Sequence, residues 1–269
     1  MEKTKVLFIS QEITPYLPET EMSITGRYLP QGIQERGKEI RTFMPKYGSI
    51  NERRNQLHEV IRLSGMNLII DDTDRPLIIK VASIQSARMQ VYFIDNEDYF
   101  QRRYTLKDEN GEFFSDNDER AIFFARGVLE TVKKLRWSPD IVHCLGWFTS
   151  LVPVYLKNSY NEDPLFANSK VVYSVYDDEF DTPLRKEFKD KLKIEGINNK
   201  AIKKIKDNPD YINLTKMAID NSDAVVKGSK QINKEIEGYI QNENKPTLEY
   251  QPEDKYIDAY SEFYDELTK

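Results

Sequence analysis

The chain has 269 residues with 39% hydrophobic and 31% charged content, globular proportions with enough apolar mass for a real core. A net charge of −6 argues against general nucleic-acid binding, which needs clustered basic residues to neutralise phosphates. The single cysteine, Cys144, excludes an intrachain disulfide and a cysteine-rich zinc site; no apolar run is long enough for a signal segment or membrane span, so a reducing cytoplasm is expected.

Residues 5–10 (KVLFIS) form a continuous apolar run, the pattern of a parallel strand buried on both faces. A loop with Glu12, Pro15 and Pro18 precedes a helical segment that stops at Gly37, and residues 39–44 read as a second strand. Strand, loop, helix and strand in that order make a βαβ unit. The β-branched runs at 66–71, 77–84 and 89–94 predict antiparallel strands attached to the main sheet. Residues 115–119 (SDNDE) cap a helix whose apolar positions, Ile122 through Leu135, recur at helical spacing, with Asp116 as its natural N-cap.

Residues 139–157 form the centre of the chain: a buried strand at Ile141 and Val142, a turn at Gly146, then an apolar-faced helix. In an open α/β sheet, ligands sit beyond the carboxyl ends of the strands, so chemistry is expected between His143 and Phe148. Further strands are predicted at 170–175 and 224–226. The lysine-rich stretch 185–206 between them reads as a solvated helical face, its charge diluted by Glu187, Asp190 and Glu195. Residues 241–252 look like a linker, and 256–264 place aromatics at helical spacing, as in an amphipathic helix packed on a core. No G-x-G-x-x-G, P-loop or G-x-S-x-G motif occurs, and two histidines without a carboxylate cluster predict neither a metal site nor a cofactor. From the residues alone this is a doubly wound α/β protein without a diagnostic catalytic signature.

Colinear blocks over most of the chain add a resemblance. Residues 5–16 (KVLFISQEITPY) look like an opening strand followed by an S-E-x-x-P-F loop. Leu29-Pro30, Arg36-Gly37 and residues 44–48 (MPKYG) look like the L-P, R-G-H and L-P-R-Y-G landmarks. Residues 93–100 resemble F-I-D-N-P-x-Y-F, 116–120 (DNDER) resemble D-N-x-x-R-F, and 139–157 resemble P-D-V-V-H-x-H-D-W-H-T with its P-x-Y-L-K continuation. Residues 213–219 with Asp223 are similar to N-L-L-K-x-G-I…A-D. In this order the blocks resemble the N-terminal catalytic domain of bacterial glycogen and starch synthases, glycosyltransferase family 5.

That resemblance implies the N-terminal half of a GT-B fold: a Rossmann-like, doubly wound, mostly parallel sheet with a β-hairpin extension. Residues 1–241 would form this domain, and 242–269 a linker and a C-terminal crossover helix packing back on it. Family members hold the nucleotide-sugar mostly through a second Rossmann-like domain, so the expectation is a single-domain relative that lost that domain internally. The family reaction is glucosyl transfer from ADP- or UDP-glucose to an α-1,4-glucan, and the implied partners are α-glucan or nucleotide-sugar and a protein, with no nucleic acid and no membrane. Glu12, Asp116 and His143 are the implied catalytic residues, and Tyr47, Asn117, Arg120 and Trp147 the substrate-binding ones.

Simpler readings stand beside these roles. Glu12 could cap the following helix, Asp116 its own helix, His143 could be a hydrogen-bonded structural residue, and Trp147 could cover the sheet end, with Cys144 in the core. The departures fall on functional positions. Where the family has K-T-G-G-L, this chain has residues 18–22 as PETEM, a proline and two acids in place of a cation and two glycines. Of H-x-H-D-W-H only His143 and Trp147 remain, with Leu145, Gly146 and Phe148 at the other positions; T-x-H-N is Ser174-Val-Tyr-Asp177. The sequence therefore predicts a synthase-like domain with weakened catalysis, or alternatively a glucan- or protein-binding module, or a half-enzyme completed in trans by a donor-binding subunit.

Overall fold

The apolar run at the start becomes β1 (Lys5–Ser10), the middle strand of one large sheet in the computed structural model, which describes residues 3–269. It is followed by α1 (Glu21–Glu35), β2 (Glu39–Pro45), β3 (His58–Glu59), β4 (Met66–Ile70), β5 (Thr73–Ile84), β6 (Met89–Asp95) and α2 (Glu97–Phe100). Then come α3 (Asn117–Leu135), β7 (Ile141–Leu145), α4 (Leu151–Asn158), β8 (Lys170–Val175), α5 (Phe188–Lys191), α6 (Tyr211–Asp220), β9 (Ala224–Lys227), α7 (Lys234–Asn242), β10 (Thr247–Leu248) and α8 (Tyr256–Leu267).

The strands run in the order β10-β9-β8-β7-β1-β2-β6-β5-β3, with β4 paired to β5. Pairing is parallel from β10 through β6, whereas β5 lies antiparallel to β6, β3 and β4. This is the expected doubly wound α/β sheet with an antiparallel extension. The chain leaves β1 toward β2 on one side and returns to β7 on the other, so the topological switch point lies between β1 and β7.

Because successive strand side chains point to opposite faces, each strand feeds two cores. Leu7, Ile9, Val142, Cys144, Val171 and Tyr173 pack with the buried faces of α3, α4 and α6. Val6, Phe8, Ile141 and Val172 pack on the other side with Leu29 and Ile33 of α1 and with Tyr260, Phe263 and Tyr264 of α8. Helices α1 and α8 approach closely: a Cβ at Gly32 would overlap the side chain of Ile257. Arg36 pairs with Asp258, and Lys38, almost fully buried, donates to Ser261 Oγ at 2.9 Å and pairs with Asp265 at 2.9 Å.

Two expectations are corrected. The 241–252 stretch is not a free linker, because Thr247 and Leu248 add a parallel edge strand to β9. The 185–206 stretch is not a solvated helix; it folds as short turns that bury Phe188, Leu192, Ile202 and Ile205. Two of its cations turn inward while Lys186, Lys193, Lys200, Lys203 and Lys206 stay exposed: Arg185 donates to Asp118 and Glu119 at 2.7 and 2.6 Å, and Lys191 reaches Glu119 at 2.6 Å. The sequence pattern hid this because the acids they neutralise lie on α3, some seventy residues earlier.

Candidate functional site

The carboxyl ends of the parallel strands open into a cleft of about 400 Å³ at the switch point. Gln11 and Glu12 enter it after β1, Trp147 after β7, residues 176–180 after β8 and Ser229 after β9; Glu21 and Met22 enter from the start of α1, and Lys107 and Phe113 from the loop before α3. Five carboxylates line it, on Glu12, Glu21, Asp177, Asp178 and Glu179, against one lysine, Lys107. Such a field repels anions and favours uncharged ligands.

An open helix N-terminus offers unpaired N–H groups and a positive dipole end to a phosphate. Here α1 keeps two of those groups, the Thr20 and Ser23 N–H, for itself. Thr20 is the N-cap: its hydroxyl oxygen accepts from Ser23 N at 3.0 Å, while Ser23 Oγ accepts from Thr20 N at 2.8 Å, closing a capping box. Thr20 Oγ1 in turn donates to Glu12 Oε2 at 2.7 Å, setting a carboxylate against the helix end. Glu12 thus supports the cap through Thr20 and does not cap the helix directly. Glu21 opens the helix and accepts the Ser229 hydroxyl at 2.6 Å.

At the turn after β7, Gly146 has φ 85° and ψ 163°, a region essentially restricted to glycine. A Cβ there would lie 2.7 Å from Met22 Cε and 3.0 Å from Asp178 Oδ2, so Met22 and Asp178 already occupy the space any side chain would need. Asp178 accepts the Trp147 N–H at 2.8 Å and the Tyr211 hydroxyl at 3.2 Å. Burial pushes its carboxyl up to about 7; those two donors oppose the shift, and the nearby Glu12 carboxylate adds to it.

The native state therefore holds a proton on Asp178 between about pH 4 and 7, where the unfolded chain does not. This contribution to stability is complete below pH 4 and is lost as pH rises through 7. Asp178→Asn is expected to be more stable than the wild type at pH 8 and to lose that advantage toward pH 4.5; thermal melts of both proteins at the two pH values test this, and an unchanged difference contradicts it.

Trp147 is only 2% exposed, tilted against Phe180 at 4.6 Å and Phe113 at 5.8 Å. Phe113 and Phe180 stack at 5.1 Å, and half-buried Phe113 presents the more open aromatic face of the cleft.

The other sequence-derived candidates lie outside this lining. Asp116 occupies the N-cap position of α3 but makes no cap bond; its carboxylate takes both Nη groups of Arg102 instead. Asn117 and Arg120 are fully buried: Arg120 donates to Tyr99 O at 2.8 Å and to Asn117 Oδ1, and its guanidinium packs over the rings of Tyr47 and Phe100. Burial lowers the Arg120 guanidinium to about 10 and raises the Tyr47 phenol.

His143 sits on the α8 side of β7 with no exposure. Its Nδ1 is hydrogen-bonded with the Tyr264 hydroxyl at 2.7 Å and its Nε2 with the Ser174 hydroxyl at 2.6 Å. Burial depresses the imidazole to about 3, so the ring is neutral and carries one donor and one acceptor nitrogen.

The structure thus brings Glu12 and Trp147 to one cleft and places Tyr47, Asp116, Asn117, Arg120 and His143 around or beneath it. Asp178 and Phe113 were not singled out from the sequence, whereas Glu21 is one of the two acids of residues 18–22. Asp178 carried a signal, since the acidic run 177–179 follows a parallel strand; Phe113 carried none. Among the described residues, no group of histidines, cysteines and carboxylates could hold a metal ion, and no helix is long and apolar enough to cross a membrane.

Over 173 residues, 64% of this chain, the sequence is 40% identical to the glycogen synthase of Chlorobium limicola and 39% identical to that of Chlorobaculum tepidum. The matched stretch spans about a third of those relatives' length. The fold is similar to the catalytic domain of starch synthase IV from Arabidopsis thaliana, solved bound to ADP and acarbose: TM-score 0.73 at 16% identity, over 93% of this chain and 51% of that one. A family model described as the starch synthase catalytic domain matches residues 5–245, and the chain belongs to that family.

Proposed function

We propose that this glycogen/starch synthase-type domain binds an uncharged α-glucan in the cleft beyond β1, β7 and β8 and does not itself transfer glucose from a nucleotide-sugar. The observation that carries the reading is the half-capped, acid-flanked N-terminus of α1. A sugar-nucleotide diphosphate needs cations or free N–H groups to stabilise the charge on the leaving group. Here the Thr20 and Ser23 N–H groups are taken up by the capping box, no cation is paired at the helix end among the described residues, and Glu12 and Glu21 lie on the approach. Of the two ligands held by the Arabidopsis starch synthase, ADP and acarbose, the acidic, aromatic cleft suits the saccharide. Sugar rings stack on aromatic faces and donate hydroxyl protons to carboxylates, and Phe113 with Glu12, Asp177 and Glu179 offers both. In this reading Glu12 and Trp147 shape the binding cleft. His143, Asn117, Arg120 and Tyr47 hold the strands and helices that form it.

The direct test is nucleotide release from ADP-glucose and UDP-glucose with glycogen as acceptor, alongside Glu12→Ala and His143→Ala. No release above background is expected from any of the three proteins, and turnover abolished by Glu12→Ala would overturn the proposal. Retention on immobilised glycogen is expected for the wild type and at least about tenfold weaker for Phe113→Ala, a loss typical of removing one stacked aromatic contact. Release that appears only when a separate donor-binding subunit is added would favour the half-enzyme instead.

A further inference from the structure

A second cavity, of about 290 Å³, opens beside the cleft, between the start of α1, the end of β9 and the segment that leads from β10 into α8. Tyr250, Tyr256 and Tyr260 line it together with Glu21, Gln251 and Glu253. Glu21, Tyr250 and Glu253 are exposed, and Gln251 and Tyr256 are partly so. Tyr256 and Tyr260 meet edge to face at 6.2 Å. Burial raises the Tyr260 phenol, Ser174 opposes the shift, and Tyr256, Glu21 and Tyr250 add to it, which places these groups in one neighbourhood. Tyr28, on the same face of α1 as the lining residue Ile24, is 48% exposed and acts in the same way on Tyr256. Single exposed aromatic rings are ordinary, but a cluster of them around a cavity marks a binding surface. Lys227 also lines the space, but its ammonium is taken by Glu237 at 3.1 Å and Glu249 at 2.9 Å and is not free for an anion. The two cavities meet at Glu21, which lines both; beside it, Gly228 opens on this one and Ser229 on the cleft.

We infer that this cavity is a second subsite for α-glucan, so that a longer chain fills the cleft and continues past Glu21 onto Tyr250 and Tyr256; the inference rests on the proposed glucan binding in the cleft. A sugar ring presents C–H faces to an aromatic ring and a rim of hydroxyls to acceptors. Tyr250 and Tyr256 offer the rings, and Glu21, Gln251 and Glu253 the acceptors. The surplus of carboxylates disfavours phosphorylated sugars here as it does in the cleft. Contact with both cavities makes the second binding event intramolecular, so a long chain gains affinity without either subsite being strong. Tyr250, Gln251, Glu253, Tyr256 and Tyr260 all lie beyond residues 5–245, the stretch that matches the family model.

Calorimetric titration of the full chain with maltotriose and maltoheptaose tests it. Maltoheptaose is expected to bind about tenfold more tightly than maltotriose. Tyr250→Ala, at an exposed side chain, is expected to remove most of that gain, and Tyr250→Ala with Glu253→Gln all of it, while maltotriose binding stays as in the wild type. Phe113→Ala, in the cleft, is expected to weaken both oligosaccharides. Circular dichroism establishes that each variant is folded. Equal affinity for the two oligosaccharides in the wild type, or a length preference that survives the double variant, would overturn this inference and leave the cleft reading standing. Displacement of maltoheptaose by tetramethylammonium at constant ionic strength would mark the tyrosines as a cation cage and also overturn it. Absence of binding by either oligosaccharide would overturn the cleft reading and this inference with it.

Discussion

Cutting the chain before Tyr256 is expected to leave a protein with no cooperative melting transition at 25 °C or above. Helix α8 contributes Tyr260, Phe263 and Tyr264 to the core on its side of the sheet, all buried. Truncating one buried aromatic to alanine costs about 3–5 kcal/mol, and three together reach the whole stability of an ordinary domain, about 5–15 kcal/mol. The deletion also strips the Tyr264 hydroxyl from His143 Nδ1 and leaves Lys38 without Ser261 and Asp265. Tyr264→Phe separates the hydrogen bond from the packing: it keeps the ring, leaves a buried imidazole nitrogen unpaired, and is expected to cost about 1–3 kcal/mol. A truncated chain that melts like the full one would show that α8 is no part of the core.

Gly146→Asp, which places the family's carboxylate back at the turn after β7, is expected to destabilise the protein by about 3–5 kcal/mol without creating activity. Forcing a residue with a Cβ into a glycine-only conformation costs about 1–3 kcal/mol, and overfilling a packed site costs about 1–3 kcal/mol more. The new carboxylate would also meet Asp178, which has at most one proton to share near neutral pH. Gly146→Ala measures strain and overlap without the charge, and Asp178→Asn in the Gly146→Asp background measures the charge term by a double-mutant cycle. Urea titrations at pH 8 provide the values. An unaltered midpoint in Gly146→Asp would mean that Met22 and Asp178 yield freely, and the turn would have to be reinterpreted.

Local pattern carried most of the fold. The apolar strand runs, the helical period of α3 and the aromatic period of α8 each depend on residues near one another in sequence, and each was readable. The misread segments depend on partners far away. Arg185 and Lys191 look solvated until Asp118 and Glu119 are brought beside them, and Asp116 looks like a cap until Arg102 takes its carboxylate. The cleft was legible by position, through the strand-end rule and through residues 18–22, where acids replace glycines. Its actual lining was not, because Phe113 and Asp178 meet Glu12 only in the folded chain.

The clasp of α8 on α1 also bears on the order of events in folding. Arg36 to Asp258 and Lys38 to Ser261 join residues 222 and 223 positions apart, and His143 to Tyr264 spans 121. Closing loops of that length carries the largest entropic penalty in the chain and is rewarded only once β1, β7 and β8 already stand side by side. The last helix should therefore dock after the sheet has formed. Until it does, the part of that sheet face not covered by α1 is wet, and the partly folded chain exposes the surface through which copies would associate.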